Sequence, residues 1–389
     1  MELADLVPTG GALMGKWLPR HLHPFARGVY SPRLAMRSPK LFLCSLFLIL
    51  ACGTSQDVEP GGMDGGTEVP DAGPSPVDDV LYLGRFDDSD PDAVRFSWSG
   101  SGFAVRFRGT GARATFRGGR SFTVVVDGDA QPDPFQVSDV AGEAYDLASN
   151  LPDGEHTIEV YRRTEASNGP TVVVGVEVDG EPLSVPRPTR QLEIVGDSWS
   201  TGQGVESSNE VCDSSAQNHF VTWGAIAARA VDAELSTVAW AGKSIVREPM
   251  LPLYDRVIGT EDGSTGTIRT ADAVFVSLGA NDFVAGELPT EFVPAYVSLL
   301  EQIRLQHPDA LIACIWPQLP DPSETALARS AIDAAIAERA AAGDAQVTGA
   351  DLELDELVDL ACDNYHPGPE THALMADKTI EFLSAELGW

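Results

Sequence analysis

The sequence predicts two folded domains, an all-β domain over residues 79–186 and an α/β domain with a parallel sheet over residues 190–389. Short strands separated by glycine turns fill the first range, and apolar strands alternate with helical patterns in the second. Pro186-Arg187-Pro188 marks the boundary, because two prolines end regular structure. The chain's 389 residues are enough for two domains of ordinary size, and its 43% apolar content allows at least one sizeable core to be buried.

The first domain is predicted from short runs that alternate apolar and polar residues, as half-buried strands do. Turn signals such as Asp127-Gly128 separate these runs, and Gly109-Thr110-Gly111 is interpreted as another such turn. No long helical pattern interrupts them, so a β-sandwich is expected. The runs cover residues 94–98, 103–108, 112–116 and 122–127.

The second domain is predicted from strands and helices in alternation, which indicates a parallel sheet with helices on both faces. In such sheets ligands bind outside the carboxyl ends of the strands. Residues that follow each strand are therefore the candidates for function. Strands are predicted at 192–195, 235–240, 273–278 and 311–316, with a weaker one near 346–348, and helices at about 218–231, 290–306, 323–342 and 369–387.

The first 51 residues are interpreted as a leader outside the fold. Residues 41–51 are apolar and uncharged, basic residues precede them, and the run is too short to span a bilayer as a helix. The run ends in Ile49-Leu50-Ala51-Cys52, which resembles a bacterial lipobox and implies cleavage before Cys52 and lipidation of its thiol. A plain secretory signal with an incidental cysteine is the alternative.

Met36 is interpreted as the true start, so residues 36–51 form the signal peptide. The mature chain is expected to be exported and either secreted or held by its lipid at the outer membrane or cell surface, with no other membrane contact. Residues 52–78 offer almost nothing to bury and predict a disordered linker. A net charge of −32 argues against nucleic acid as a partner, since phosphate binding needs a basic face.

The first strand of the α/β domain is followed by Gly196-Asp197-Ser198. A strand-to-helix turn there would expose Ser198 at the carboxyl edge of the sheet as a nucleophile, near the positive end of a helix. Aspartate and serine are also favoured helix caps. The tripeptide alone therefore leaves both interpretations open.

Two further turns carry groups that could bind an oxyanion. Gly242, in Trp240-Ala241-Gly242-Lys243, would let a backbone N–H approach a ligand closely, although an ordinary turn glycine is the alternative. Asn281, in Gly279-Ala280-Asn281-Asp282, could donate its amide to an oxyanion. Asparagine and aspartate in a turn that caps the backbone are the alternative there.

A candidate base lies just before the final predicted helix, in Asp363-Asn364-Tyr365-His366-Pro367. Asp363 could orient the ring of His366 and stabilise its cation, while the other ring nitrogen deprotonates Ser198. A loop-capping aspartate beside a surface histidine is the alternative.

These four features, in this order on successive loops of one sheet, resemble the SGNH (GDSL-type) hydrolases. The resemblance covers residues 191–389 and implies a flavodoxin-like fold in a serine esterase, with Ser198 as nucleophile, His366 as base and Asp363 as orienting acid. It also implies an oxyanion hole formed by the N–H groups of Ser198 and Gly242 and the amide of Asn281.

The pairing with the first domain resembles carbohydrate esterase family 2. The matching segments include Gly84-Arg-Phe-Asp87, Arg163-Thr-Glu165 and Ser236-Thr-Val-Ala-Trp-Ala-Gly242. This resemblance implies a jelly-roll-like sandwich and an acetylxylan esterase-like enzyme that removes O-acetyl groups from xylan- or glucomannan-type polysaccharide. Trp199, where the superfamily usually has a smaller aliphatic residue, leaves the substrate open.

An acetylated polysaccharide or oligosaccharide is the expected partner of a monomer. Four aromatic residues near the sheet edge could stack on a sugar ring, although packing is the alternative for each: Trp199, Trp240, Trp316 and Tyr365. Two other functions stay open. One is hydrolysis of a different acyl ester (a lipid, a thioester or a bacterial glycan), and the other is glycan binding by an inactive surface lipoprotein.

The cysteines bear on both the site and the compartment. Cys212 and Cys362 each lie in a loop near a catalytic segment, and in an exported chain a disulfide between them is expected, with two free thiols as the alternative. Cys314 lies in an apolar run and is expected to be a buried thiol. No cysteine–histidine cluster has metal-ligand spacing, so no metal or other cofactor is expected.

Overall fold

The computed structural model describes residues 80–138, 142–207, 212–283, 287–352, 358–362 and 365–389, and the backbone of Ser75–Pro76. The predicted leader, Cys52 and the linker apart from Ser75–Pro76 lie outside the described residues. Ser75–Pro76 pairs with a strand of the first domain, so ordered pairing begins before residue 79. Among the described residues, no helix is both long and apolar enough to cross a membrane.

The first domain is all β, as predicted, and its strands pair antiparallel in one hydrogen-bonded sheet. The main path runs β1-β10-β4-β9-β5-β6, with β2 and β8 paired to β4, β3 to β10 and β7 to β5. The strands are β1 (Ser75–Pro76), β2 (Leu81–Leu83), β3 (Val94–Phe96), β4 (Gly102–Arg117), β5 (Ser121–Val126), β6 (Asp129–Ala130), β7 (Phe135–Gln136), β8 (Glu143–Ala148), β9 (Gly154–Arg162) and β10 (Thr171–Leu183).

The predicted turn at residues 109–111 was wrong, because β4 continues through it for 16 residues. A Cβ atom at Gly109 would lie 1.9 Å from the carbonyl oxygen of Asp179. The glycine therefore admits the close approach of β10, whose register shifts between Val178 and Gly180. The first half of β4 pairs with β9 and its second half with β8.

The second domain contains a parallel sheet in the order β12-β11-β13-β14-β15, which confirms the predicted α/β class. Its strands are β11 (Arg190–Gly196), β12 (Ala233–Ala239), β13 (Ala273–Ser277), β14 (Leu311–Ile315) and β15 (Val347–Ala350). Its helices are α1 (Ser198–Thr201), α2 (Trp223–Ala230), α3 (Leu251–Tyr254), α4 (Phe292–Gln306), α5 (Pro322–Ala341) and α6 (Pro369–Leu387).

Helices cover both faces of this sheet. Successive side chains of each strand point to opposite sides, so each strand contributes apolar residues to two cores. Val274 and Val276 of β13 pack in one core with residues of α4 and α5. Ala273 and Phe275 pack in the other core, with residues of α2 and α6. The α4 side also contains Trp98 of the first domain, so the two domains share this core.

A buried ion pair joins the domains. Arg85, between β2 and β3, donates to Glu193 of β11 at 2.9 Å, and both side chains are 1% exposed. Tyr254 donates its hydroxyl to the same carboxylate at 2.7 Å, and a ring nitrogen of His307 lies 3.1 Å from it. Burial opposes ionisation of Glu193, but the charge of Arg85 and these hydrogen bonds prevail and lower its pKa to about 2.

We expect Arg85→Ala to lower the free energy of unfolding by about 3–5 kcal/mol, because it leaves Glu193 buried without its cation. Urea denaturation at pH 7 measures the loss. Arg108→Ala is the matched control, since Arg108 pairs with Glu155 on the solvent-exposed surface. The control should show little loss, and equal losses in the two variants would contradict the importance of the buried pair.

Candidate active site

Three turns begin at the same level of the parallel sheet. Gly196, the last residue of β11, lies opposite Ala239 of β12 and Ser277 of β13. The turns that carry Ser198, Gly242 and Asn281 therefore leave the sheet side by side at its carboxyl edge. The register thus brings together groups that are distant in sequence: Ser198 and Asn281 are 83 residues apart.

The turn Gly196-Asp197-Ser198 carries the candidate nucleophile and is called the nucleophile turn below; it joins β11 directly to α1. Asp197 caps this helix by accepting the N–H of Trp199 at 3.1 Å, and Ser198 is its first residue. The capping interpretation of the tripeptide is therefore correct for Asp197, and it does not compete with a catalytic role for Ser198. Ser198 is buried to 7% exposure at the sheet edge.

The glycine turn spans Trp240 to Lys243, where the Lys243 N–H donates to the Trp240 carbonyl at 3.1 Å. Gly242 occupies its third position with φ +78°, a left-handed conformation that favours glycine. Asn281 donates its amide to the Lys243 carbonyl at 2.9 Å and makes a longer contact of 3.4 Å with Asp197. The amide of Asn281 thus lies between the nucleophile turn and the glycine turn.

Asp282 is a second buried acid at this edge, and its role could not be assigned from the sequence beyond a turn. Its carboxylate is 0% exposed and accepts the N–H groups of Ile245 and Val246 at 2.8 and 2.9 Å. It therefore holds the segment that follows Gly242. Its position in the Gly279-Ala280-Asn281-Asp282 turn was the signal available in the sequence.

The loop that carries His366 packs against the nucleophile turn. The Ala361 N–H donates to the His366 carbonyl at 2.8 Å and closes the loop. The Tyr365 ring lies 5.9 Å from the ring of Trp199 and 5.6 Å from that of His366. Asp363 lies outside the described residues, so its orienting role stays a prediction.

A disulfide between Cys212 and Cys362 ties this loop to the segment that follows α1, with 5.2 Å between the Cα atoms. The two sulfur atoms and a ring nitrogen of His366 lie within 4.8 Å of one another. Because both sulfurs are bonded to each other, this cluster is a crosslink beside the histidine rather than a set of metal ligands. Cys314 is a buried thiol, and burial raises its pKa to about 12.

A cavity of about 560 Å³ adjoins the nucleophile turn at the ends of β13, β14 and β15. Three of the four candidate sugar-stacking residues line it: Trp199, Trp316 and Tyr365. The guanidinium of Arg329 lies 3.9 Å over the Trp316 ring. Trp240 lies elsewhere, with its ring edge-on to Trp98 at 6.5 Å, as expected for packing between the domains.

Burial raises the pKa of Asp197 to about 7, with a further contribution from the nearby Asp282 carboxylate. The hydrogen bond from Trp199 opposes this shift without cancelling it. The residue before Ser198 is therefore an acid that changes charge near neutral pH.

Comparisons with known proteins agree with this architecture. Residues 82–186 match the family described as "Carbohydrate esterase 2 N-terminal", and residues 194–374 match the "GDSL-like Lipase/Acylhydrolase family". A crystal structure of a carbohydrate esterase family 2 enzyme with a carbohydrate binding domain, from Corynascus thermopiles (Myceliophthora fergusii), is 30% identical, with a TM-score of 0.68. The match covers 80% of this chain and 100% of that chain.

Two curated proteins are also similar. Cellulase/esterase CelE of Acetivibrio thermocellus is 31% identical over 326 residues, which cover 80% of this chain but only 40% of CelE. The chain therefore spans less than half the length of that relative. An acetylxylan esterase / glucomannan deacetylase of Cellvibrio japonicus is 24% identical, over 77% of this chain and 87% of its own length.

We expect Asp197→Asn to become more stable relative to wild type as pH rises from about 4 to about 7. The folded wild type keeps the Asp197 proton up to about pH 7, whereas the unfolded chain releases it near the ordinary value of 3.8. The unfolded state therefore binds fewer protons across this window, and wild type loses up to about 4 kcal/mol relative to the variant. Urea denaturation of both proteins at several pH values measures this difference.

The comparison with the variant is needed because buried histidines act in the opposite direction. Burial lowers the pKa of His219 to about 3 and that of His372 to about 4, so both destabilise the fold as pH falls below the unfolded value. Their contribution cancels in the difference between the two proteins. A difference that does not change with pH would show that Asp197 titrates normally.

Proposed function

The chain belongs to carbohydrate esterase family 2, and we propose that it is a serine esterase that removes O-acetyl groups from polysaccharide through an acyl-serine intermediate. One observation carries the proposal. The shared register of β11, β12 and β13 puts the turns of Ser198, Gly242 and Asn281 side by side, and the His366 loop packs on the first of them. A nucleophile, oxyanion donors and a base at one edge are what acyl transfer requires.

The first half-reaction forms the acyl-enzyme. His366 takes the proton of Ser198 as its Oγ attacks the acetyl carbonyl, and the resulting oxyanion accepts hydrogen bonds from the N–H groups of Ser198 and Gly242 and the amide of Asn281. The long 3.4 Å contact between Asn281 and Asp197 is the one that the amide gives up for the oxyanion. His366 then protonates the departing sugar oxygen as the bond to the carbonyl carbon breaks.

The second half-reaction returns the free enzyme. His366 removes a proton from water, the hydroxide attacks the acyl carbonyl, and the same donors hold the second oxyanion. Ser198 leaves with the proton held by His366, and acetate departs. Asp363 orients the His366 ring during both steps.

The proposed substrate is acetylated xylan or glucomannan, or their oligosaccharides. The Cellvibrio japonicus relative is named for both activities, and an aromatic-lined cavity beside the nucleophile turn suits a sugar ring. Trp199 and Tyr365 line this cavity beside the nucleophile turn, and we propose that they contact the sugar that carries the acetyl group. Trp316 and the stacked Arg329 form another part of the lining.

We also infer that the enzyme is exported and anchored by lipid at Cys52, at the outer membrane or cell surface. The support is the apolar run of residues 41–51, which ends in a lipobox-like sequence and is followed by a polar linker. Acetylated polysaccharides are too large to enter a cell, so a deacetylase for them has to act outside it.

Ser198→Ala should lower kcat for an activated acetate ester by at least about 10³-fold, because it removes the proposed nucleophile. The release of nitrophenol from 4-nitrophenyl acetate measures the rate. Ser200→Ala is the matched control, since Ser200 is buried in the same helix and has no proposed role. Wild-type rates in Ser198→Ala would overturn the proposed function.

Trp316→Ala should raise KM for acetylated xylo-oligosaccharide by about 2–10-fold, the range expected for loss of one aromatic contact. Because 4-nitrophenyl acetate carries no sugar ring to stack on Trp316, kcat for this ester should change by less than about threefold. Acetate release from the glycan and nitrophenol release from the ester give the two values. An unchanged KM for the glycan would place the sugar outside this cavity.

A further inference from the structure

The segment that carries Gly242 is held at both ends by buried carboxylates. Asp282 holds its far end through the N–H groups of Ile245 and Val246. At its near end, Glu165 of the β domain accepts the N–H of Ala241 at 2.8 Å. The residue directly before Gly242 is thus bonded to a side chain from the other domain.

Glu165 is itself fixed in place. The residue is only 8% exposed, and its other carboxylate oxygen accepts the hydroxyl of Ser167. Its own N–H donates to the side-chain oxygen of Gln217 at 2.9 Å. The next residue, Ala166, is fully buried in the core on the α4 side of the parallel sheet. The carboxylate therefore has one well-defined position relative to the α/β domain.

The hydrogen bond from Ala241 to Glu165 constrains the orientation of the glycine turn. Ala241 and Gly242 are the two middle residues of the turn from Trp240 to Lys243, so the direction of the Ala241 amide constrains that of the next peptide. Trp98, also of the β domain, packs edge-on against Trp240 at the start of the same turn. An oxyanion donor is effective only when it points at the position that the developing charge will occupy.

We propose that Glu165 is a positioning residue that aims the Gly242 N–H at the oxyanion through its bond to Ala241. This inference rests on the proposed function, since it assigns Gly242 to the oxyanion hole. Glu165 does not contact the substrate; it acts through the turn. The β domain accordingly completes the catalytic site and is more than an appended binding module.

The test is kinetic, with 4-nitrophenyl acetate as substrate and the full chain as enzyme. Glu165→Ala should lower kcat by about 10–100-fold, because a misdirected donor loses most of its effect in the transition state. KM should change by less than about threefold, since the ester gains nothing from this donor in the ground state. Glu165→Gln should recover kcat to within about threefold, because its amide oxygen still accepts from Ala241 and its NH₂ can donate to Ser167.

Ser97→Ala is the matched control. Ser97 is fully buried at the same domain interface and its hydroxyl oxygen accepts the N–H of Gly259 at 2.9 Å, and within the part of the chain that the structure describes it makes no hydrogen bond to the turn. Its loss should leave kcat unchanged even where thermal stability falls. If Glu165→Ala does not fold, Glu165→Asp replaces it. The shorter side chain keeps the charge but draws the oxygen away from Ala241, and kcat should again fall.

The outcomes separate the two proposals. A wild-type kcat in both Glu165→Ala and Glu165→Asp, an effect confined to KM, or an equal loss of kcat in Ser97→Ala would overturn the role of Glu165. Activity retained by Ser198→Ala would instead overturn the esterase mechanism. An inactive Ser198→Ala together with an unaffected Glu165→Ala leaves the mechanism standing and rejects only the positioning role.

Discussion

The buried pair of Arg85 and Glu193 is the constraint on which the two-domain arrangement depends. Glu193 lies within β11, three residues before the end of the strand that leads to Ser198. A carboxylate so deeply buried is tolerated only with a cation and hydrogen-bond donors around it. The cation comes from the β domain, and Tyr254 and His307 supply the remaining contacts. Glu193, in the strand that leads to Ser198, therefore has its full set of charge and hydrogen-bond partners only when the β domain is docked.

The same interface extends from this pair to the carboxyl edge of the sheet. Trp98 packs in the core on the α4 side and meets Trp240, and Glu165 bonds to the next residue along the chain. Contacts that hold the two domains together thus continue into the turn that carries Gly242. Domain docking and the geometry of the turn that carries Gly242 are consequences of one packed surface.

Buried acidic side chains organise the edge through backbone N–H groups. Asp197 caps α1, Asp282 holds the segment after Gly242, and Glu165 holds the residue before it. Each offsets its own burial by accepting backbone donors that would otherwise be unpaired. For Asp197 the compensation is incomplete, as its raised pKa shows. The turns that carry Ser198 and Gly242 are therefore fixed by acids to which the proposed mechanism assigns no reacting role.

The sequence by itself determined the fold class, the order of the strands and helices, and the turns that carry Ser198, Gly242, Asn281 and His366. These features are readable because periodicity and turn chemistry are local properties of the chain. It wrongly predicted a turn at residues 109–111, where the strand continues and the glycines allow the close approach of a neighbouring strand. It also could not distinguish Trp240 from the aromatic residues that line the cavity. Only the tertiary structure decided that Trp240 packs between domains and that Arg85 and Glu165 reach across the interface. Such contacts join residues far apart in sequence, and local sequence patterns do not predict which distant residue will pair with a buried charge.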